Sequence, residues 1–539
     1  MKRRNFIQLS AISGAIPFLG VKACAAPTAS EAASNEEEAP FELEEWTVQQ
    51  LQEAMESGTY TSRKICELYL ARIEAKDQSA GGLNSVIEVN PDALEIADQL
   101  DRERGEGKVR GVLHGIPVMI KDNIDTGDKM MTTAGSMALA GSTAPDDAFI
   151  IQKLREAGAV LLGKTNLSEW ANFRSSRSSS GWSGRGRQTN NPFALDRNPC
   201  GSSSGSGAAV SGNMCAITIG TETNGSIVCP SSANGVVGIK PTVGLWSRDG
   251  IIPISTTQDT AGPMGRTVAD AAALLGACVG VDAADSVTAE SDGNSYTDYL
   301  QFLDENALQG KRLGLLKDAF GSHEGSDEVL TSAIETLKAK GAEVVEEVSI
   351  WEWSDFEGTG DILYYEFKDG LNNYLASRPD LAVRTLEDII QYNKDNAGIE
   401  MPYFLQERMD RSQALGSLEE QDYKDQLAKM LKVARGNYDA ALKENNLDAF
   451  IALTRGPAWR TDPILGDNFN GGVSSSTPAA RSGYPNITVP AGYVHGLPVG
   501  MSFFSGKYEE PKLIGIAYAF EQASRARKAP KLIPTIELA

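Results

Sequence analysis

Apolar and polar positions alternate along the chain with two different periods. A capping box over 47–50 begins a predicted helix, and the apolar residues between positions 65 and 73 recur at helical spacing in the next one. Apolar runs at 118–120 and 159–162 are typical of buried strands, because no polar residue interrupts them. This alternation predicts an α/β fold with a large, mixed, mostly parallel sheet that is covered by helices on both faces.

The pattern changes between about 282 and 446, where the chain is more charged and more helical. Apolar runs return at 449–453, 487–490 and 499–503, and they are suited to completing the sheet. We therefore predict one folded domain over 46–535, with an inserted helical lobe that borders the functional site.

The first residues have the pattern of an export signal. Arg3 and Arg4 precede an uncharged stretch rich in Ile, Leu, Ala and Gly, which predicts a signal peptide of the twin-arginine type over 1–25. Cys24 lies either in a cleavage site of small residues or in a loose lipoprotein box, where it would carry a lipid. The acidic residues 26–45 cannot bury an apolar face and are predicted to be a disordered tether. The protein is thus expected to be exported, as a periplasmic protein or a membrane-anchored lipoprotein.

The composition argues against several classes of partner. Lys and Arg total 50 against 72 Asp and Glu, so the net charge is −22, which disfavours nucleic acid and anionic membrane surfaces. Three histidines and the lack of a Cys-x-x-Cys pair disfavour a metal site. The cysteines beyond Cys24 are odd in number and lie mostly in apolar surroundings. We expect them to be buried free thiols, namely Cys66, Cys200, Cys215, Cys229 and Cys278.

The segment from 200 to 250 carries the candidate chemistry. Two Gly/Ser turns, 201–203 and 225–227, flank an apolar run, whereas a flexible linker is not normally embedded in apolar sequence. A phosphate-binding loop would end in Gly-Lys-Ser or Gly-Lys-Thr, and neither turn has that lysine. A serine hydrolase fits better, although no histidine has an obvious orienting carboxylate. A lysine that burial keeps neutral can then serve as the base.

Several motifs together resemble the amidase signature family. They are Gly115-Ile116-Pro117-Val118 leading to Lys121-Asp122-Asn123, the turn Gly201-Ser202-Ser203, the turn Gly225-Ser226-Ile227, and Gly238-Ile239-Lys240-Pro241-Thr242. Within that family, the segments 166–175 and 226–230 are most similar to the bacterial peptide amidases. The resemblance covers about 46–532 and is weakest in the predicted lobe.

The resemblance implies roles for three side chains. Ser226 would be the nucleophile, Ser202 the bridging serine, which in this family precedes a peptide bond in an unusual cis form, and Lys121 the general base. The oxyanion hole would consist of the backbone N–H groups of Thr223, Asn224, Gly225 and Ser226. Asn224 and Val228 depart from the residues that are commoner in the family. The first departure bears on substrate preference, and the second marks a subgroup without changing the chemistry.

The roles of four neighbouring residues stay open. Glu222 either fixes the nucleophile turn or is an exposed carboxylate. Trp170, Phe173 and Trp182 either line the substrate cleft or are ordinary core aromatics, since large aromatic side chains are normally buried for packing alone.

Together with the resemblance, the sequence predicts an exported amidohydrolase that cleaves linear carboxamides through a Ser–cis-Ser–Lys mechanism and an acyl-enzyme, without a metal or an organic cofactor. The expected substrate is a small-molecule or short-peptide amide, with a peptide C-terminal amide as the first choice. A general aliphatic or aryl-acyl amidase is the alternative. An inactive exported binding lipoprotein is less favoured, because all three predicted catalytic side chains are present. The glutamine-hydrolysing subunit of a tRNA-dependent amidotransferase is less favoured too, because of the export signal and the net charge.

Overall fold

Eleven strands form one sheet at the centre of the protein, and two more form a separate ribbon. The computed structural model describes residues 41–468 and 474–537, so the predicted signal peptide and residues 26–40 of the predicted tether lie outside the described residues. The strands are β1 (Val86–Val89), β2 (Pro117–Lys121), β3 (Val160–Thr165), β4 (Trp182–Ser183), β5 (Arg187–Gln188), β6 (Ile217–Glu222), β7 (Val237–Lys240), β8 (Thr260–Gly265), β9 (Arg312–Leu316), β10 (Glu343–Val348), β11 (Ala449–Leu453), β12 (Asn486–Val494) and β13 (Leu497–Phe504).

Helices occupy much of the remaining chain. They are α1 (Val48–Glu56), α2 (Ser62–Arg72), α3 (Ala93–Gly105), α4 (Phe149–Glu156), α5 (Ser204–Ser211), α6 (Val228–Ala233), α7 (Val268–Ala277), α8 (Glu324–Ala339), α9 (Ile362–Ser377), α10 (Leu386–Asp395), α11 (Ala397–Glu400), α12 (Glu407–Ala414), α13 (Gln421–Glu444), α14 (Ser476–Ser482) and α15 (Glu510–Ser524). Short 3-10 helices lie at Met137–Leu139, Glu169–Asn172, Ser286–Ser291, Leu300–Phe302 and Trp353–Phe356, and a π-helical turn at Ile73–Asp77 follows α2.

The sheet has the order β1-β3-β2-β6-β8-β7-β12-β13-β11-β9-β10. Parallel pairing joins β3, β2 and β6 in one block and β11, β9 and β10 in another, and the other pairings are antiparallel. The predicted mixed sheet is confirmed, with its parallel pairing confined to these two blocks. Part of the antiparallel middle arises because His495 and Gly496 connect β12 to β13 as a two-residue hairpin loop, in which both residues have positive φ (48° and 80°).

Both faces of the central sheet are covered. Every residue of β2, β3, β6, β7, β8, β11 and β13 is buried. Successive side chains of a strand point to opposite faces, so a strand that is buried at all positions has protein on both sides. The apolar runs at 118–120, 159–162 and 449–453 thus form the predicted buried strands.

The chain from Phe41 onward is folded against this body. Thr47 caps α1 through the predicted capping box with Gln50. Residues 41–45, which composition assigned to the tether, do not have that character, because Leu43 is fully buried and Glu45 forms an ion pair with Arg527 at 2.7 Å. No helix within 41–468 or 474–537 is long and apolar enough to cross a membrane.

The region 282–446 is less uniform than its composition indicates. Its first part contributes β9, α8 and β10, and these two strands extend the main sheet beside β11. The helical part runs from α9 to α13, and we call residues 362–444 the helical lobe. The α9 helix buries Phe367, Leu371 and Leu375 in one apolar cluster with Trp170 and Phe173 of the main body.

Candidate active site

The sheet brings the predicted base and the end of β6 to one edge. Lys121 is the last residue of β2 and Glu222 is the last residue of β6, and these neighbouring strands run parallel. The carboxyl ends of parallel strands share one edge of a sheet, which is where open α/β sheets bind their ligands. Thr221 therefore lies beside Lys121, although the two residues are 100 positions apart.

The Lys121 ammonium is fully buried and is held by two residues. Its Nζ lies 2.7 Å from Ser202 Oγ, 2.8 Å from Thr221 Oγ1 and 3.3 Å from the Thr221 carbonyl oxygen. Burial lowers its pKa to about 7, and the negative charges of Asp259 and Glu222 oppose this effect. A neutral amine has two hydrogens and one lone pair. In that form the two Thr221 oxygens can accept both hydrogens, which leaves the lone pair for the Ser202 hydroxyl.

The two predicted catalytic serines lie close together through their main chains. The Gly201–Ser202 peptide bond is cis, and the Ser203 N–H donates to the Ser226 carbonyl oxygen at 3.2 Å. A Cβ at Gly201 would collide with the Ser168 hydroxyl, so glycine is favoured where this turn packs against Ser168. Ser202 is 1% exposed, whereas Ser226 is partly exposed. Among the hydrogen bonds of the described residues, none joins the Ser226 hydroxyl to Ser202.

The turn from Glu222 to Ser226 is arranged to leave N–H groups free. Glu222 is buried, and its Oε2 accepts hydrogen bonds from the N–H groups of Ile227 at 2.8 Å and Val228 at 3.0 Å. Glu222 thus fixes the nucleophile turn, which decides between its two predicted roles. Gly225 supports the turn with φ +86°. Within the part of the chain that the structure describes, the N–H groups of Asn224, Gly225 and Ser226 have no hydrogen-bond acceptor, as an oxyanion hole requires.

Two residues of the site, Thr221 and Asp259, escaped sequence reasoning. Thr221 holds Lys121, and Asn123 donates to Thr221 Oγ1 at 3.1 Å. The Thr223 hydroxyl donates to Asp259 at 2.5 Å. Ser203 bonds the main chain of Thr221, with its hydroxyl 3.0 Å from the carbonyl oxygen. A threonine or an aspartate carries no motif signal of its own, and only the fold brings these residues to the lysine.

A cavity of about 520 Å³ reaches the site from the Thr221 side. Its lining includes Asn123, Thr221 and Thr223 of the site and Gly370 and Tyr374 of α9. These lining residues place the cavity between the nucleophile turn and the helical lobe, and neither catalytic serine is among them.

The three aromatic residues that were candidates for the substrate cleft lie in packed clusters. Trp170, Phe173 and Trp182 are all buried. Phe173 contacts Phe367 of α9 with ring centroids 4.9 Å apart, and Trp182 contacts Phe404 at 5.1 Å. None of the three lines the cavity. These contacts are those of core aromatics, and a role in substrate binding stays a prediction.

The expectation of five free thiols is wrong for one pair. Cys200 and Cys229 form a disulfide with Cα atoms 6.0 Å apart, whereas Cys66, Cys215 and Cys278 are free and buried as predicted. The pair was hidden because 29 residues separate it in sequence and only the fold aligns the two turns. Cys200 lies two residues before Ser202 and Cys229 lies three residues after Ser226. One covalent bond therefore ties together the two turns that carry the serines.

The first prediction concerns this disulfide. Replacing Cys200 and Cys229 together with alanine should lower the free energy of unfolding by roughly 3–4 kcal/mol, the contribution that a loop of this length makes in the chain-entropy model. Thermal denaturation with and without reductant measures the effect. Reductant should lower the Tm of the wild type and leave that of the double variant unchanged.

The matched control for this experiment is Cys215→Ala, which removes a free buried thiol and should keep the response to reductant. A wild-type Tm that does not change although mass spectrometry shows two additional thiols would contradict the prediction.

Comparison with known proteins gives a consistent result. The family model for Amidase matches residues 64–514. A probable amidase of Arabidopsis thaliana is 42% identical over 503 residues, which cover 92% of this chain and 93% of the relative. The native peptide amidase of Stenotrophomonas maltophilia has a TM-score of 0.87 and 48% identity, over 92% of this chain and 100% of that chain. A peptide amidase in complex with the competitive inhibitor chymostatin has a TM-score of 0.87 and 47% identity, over 91% and 100%.

Proposed function

The chain belongs to the amidase signature family and is an amidohydrolase, and we propose that it hydrolyses linear carboxamides with Ser226 as nucleophile, Ser202 as proton relay and Lys121 as general base. The observation that carries this proposal is the 2.7 Å hydrogen bond between Lys121 Nζ and Ser202 Oγ in a fully buried position. With a pKa of about 7, the lysine is neutral in about half of the molecules at neutral pH and can accept a proton there.

In the acylation step, Ser226 Oγ attacks the carbonyl carbon of the amide. Its proton passes to Ser202 Oγ, and the Ser202 proton passes to Lys121 Nζ. The negative charge on the substrate oxygen is stabilised by the free N–H groups of Asn224, Gly225 and Ser226, and each such donor is typically worth about 3–4 kcal/mol. The tetrahedral intermediate then expels the amine, which takes its proton back from Lys121 through Ser202.

The deacylation step repeats this sequence with water. Water attacks the acyl carbon and transfers a proton through Ser202 to Lys121, and Ser226 leaves with the returning proton. Lys121 ends neutral and the turn is restored, so the cycle needs no metal or organic cofactor to balance.

The substrate we propose is a peptide with a C-terminal amide. The likeness to peptide amidases extends over the whole of those chains at 47–48% identity. Ser202, which would protonate the leaving nitrogen, is only 1% exposed, and this favours a small leaving group such as ammonia over a peptide amine. A general aliphatic or aryl-acyl amidase is the alternative.

A matched substrate series tests the proposed substrate. We expect kcat/KM for a dipeptide amide to exceed those for the N-methylamide of the same dipeptide and for short aliphatic amides, with formation of the free dipeptide or carboxylic acid as the readout. Equal or higher values for aliphatic amides would replace the peptide substrate by the general amidase alternative. If the folded wild type hydrolyses none of these amides, the amidase mechanism itself is contradicted.

We also propose that the protein is exported. Support comes from the Arg3-Arg4 pattern and from the Cys200–Cys229 disulfide, because disulfides persist in oxidising compartments. Changing Arg3 and Arg4 together to lysine should leave unprocessed protein in the cytoplasm, as fractionation and mass spectrometry measure. Unchanged export of this variant would contradict the twin-arginine route, and globomycin-sensitive processing would decide for a lipid at Cys24.

A further inference from the structure

A run of hydrogen bonds that the mechanism does not use leads away from the nucleophile turn. It begins at Thr223, three residues before Ser226, whose hydroxyl donates to Asp259 Oδ1 at 2.5 Å. The other oxygen, Asp259 Oδ2, accepts the N–H groups of Ile254 at 2.7 Å and Ser255 at 2.8 Å. One carboxylate thus joins the nucleophile turn to the loop before β8.

The run continues from this loop into the helical lobe. The Ser255 hydroxyl donates to Glu366 Oε2 on α9, and the Thr257 hydroxyl donates to the same oxygen at 3.1 Å. Glu366 Oε1 accepts the Tyr423 hydroxyl of α13 at 2.8 Å. Ser255 and Glu366 are buried, so water does not compete for these bonds.

We propose that Asp259 is a positioning residue that fixes the nucleophile turn through Thr223, and that Glu366 makes this geometry depend on the docking of the helical lobe. We call Thr223, Asp259, Ser255 and Glu366 the lobe relay. The relay matters for the reaction because Thr223 leads directly into the turn whose N–H groups face the substrate oxygen. A small displacement of such donors weakens the stabilisation of the developing charge.

Charge and hydrogen bonding in the relay have separate consequences. The charge of Asp259 raises the pKa of Lys121 against the effect of burial, and Glu222 does the same from β6. Asp259 itself faces Arg248 and Glu366, and burial raises the pKa of both relay carboxyls. The Thr223 hydroxyl does not titrate and its removal leaves the Asp259 carboxyl in place, so its loss should change the rate and move the pH profile less than removal of that carboxyl's charge does.

Two variants separate these effects. Asp259→Asn keeps the size of the side chain and an acceptor oxygen but removes the charge, so the acid limb of kcat/KM should move to lower pH by about half a unit or more. Thr223→Val removes the hydroxyl and keeps the Asp259 carboxyl, so kcat should fall about tenfold or more with a nearly unchanged KM and a smaller movement of the acid limb than Asp259→Asn produces. A merely structural residue would not produce this contrasting pair of results. If Asp259→Asn does not fold, Thr223→Val alone still tests the bond.

The lobe end is tested by a double-mutant cycle. Glu366→Gln should lower kcat in the wild type and have little further effect in the Thr223→Val background, since both act on one chain of contacts. Asp425→Asn is the matched control, because it removes an exposed carboxylate of α13 that accepts from the Gln421 side chain and does not line the cavity, so it should leave kcat unchanged. Circular dichroism and thermal melts verify the fold of each variant.

The inference rests on the proposed role of Lys121, and the outcomes distinguish the two. A wild type without an acid limb near neutral pH would contradict the proposed function. Two results would overturn the lobe relay alone, provided that the wild type has that limb. One is an Asp259→Asn pH profile that coincides with that of the wild type, and the other is additive effects of Thr223→Val and Glu366→Gln.

Discussion

Ser226→Ala is expected to lower kcat by roughly 10⁴-fold or more while the fold stays intact, as nucleophile replacements do in serine hydrolases. The loss is large because alanine has no hydroxyl with which to form the acyl-enzyme. The fold is expected to survive because Ser226 is partly exposed and its hydroxyl has no hydrogen bond to Ser202 to lose. Steady-state kinetics with a peptide amide measures the effect, and thermal denaturation verifies the fold.

Intact-mass spectrometry makes this prediction specific. With a slow substrate, the wild type should accumulate an acyl adduct that peptide mapping places on Ser226. Ser206→Ala is the matched control from the first turn of α5, since that hydroxyl bonds Thr165 Oγ1 at 2.8 Å and the Ile219 carbonyl oxygen at 3.0 Å and neither catalytic serine, and it should retain turnover. An adduct on another residue, or near-normal turnover by Ser226→Ala, would show that the nucleophile is misassigned.

The parts of the fold that follow from local sequence were predictable. The uninterrupted apolar runs at 118–120 and 449–453 form buried strands, because burial on both faces removes the polar alternation. The addition of β9 and β10 to the sheet edge was not predictable in this way. The pairing of β9 with β11 connects residues more than 100 positions apart, and β10 joins the sheet only through β9. The charged composition of the region indicated helices instead. A charged composition indicates solvent exposure, and a strand at the edge of a sheet, such as β10, is exposed as a surface helix is.

The same distinction between local pattern and long-range contact applies to the candidate active site. Lys121 could be placed at the end of a buried strand from periodicity, and its neutral form follows from desolvation. The serines were identified by their resemblance to a family. The sequence analysis missed Thr221, Asp259 and the Cys200–Cys229 disulfide, because each depends on a partner that is distant in sequence and comes near only in the folded protein. Local patterns therefore indicate which side chains do chemistry, whereas the fold indicates which side chains position them.

The pH dependence of kcat/KM is expected to report the ionisation of Lys121. The active form is the deprotonated amine, so the rate should rise with pH, with unit slope on a logarithmic plot, and level off above about pH 7, the value to which burial lowers the pKa of this lysine. A solvated lysine would place the same limb near pH 10.4, about three units higher. The position of the limb thus measures how completely the site excludes water.

Two substitutions connect this limb to Lys121. Lys121→Arg should be inactive at every accessible pH, because a guanidinium stays protonated and cannot accept the Ser202 proton. Lys121→Ala should lose most activity at neutral pH and recover part of it at alkaline pH, where hydroxide can take the place of the base. The buried Lys240 provides a matched control on another strand, since its Nζ donates to the Tyr484 carbonyl oxygen at 2.8 Å and to no residue of the site.

Burial also lowers the pKa of Lys240, to about 8. Lys240→Met should change the stability of the protein, and the midpoint of its limb should lie at the same pH as in the wild type. Stopped-flow or steady-state rates from pH 5 to 10 provide the comparison, with folding verified at both ends of the range. A wild-type rate that falls as pH rises from 6 to 8, or an active Lys121→Arg variant, would show that Lys121 is not the general base. In that case the 2.7 Å contact with Ser202 would be structural, and another proton acceptor would have to be sought beside Ser226.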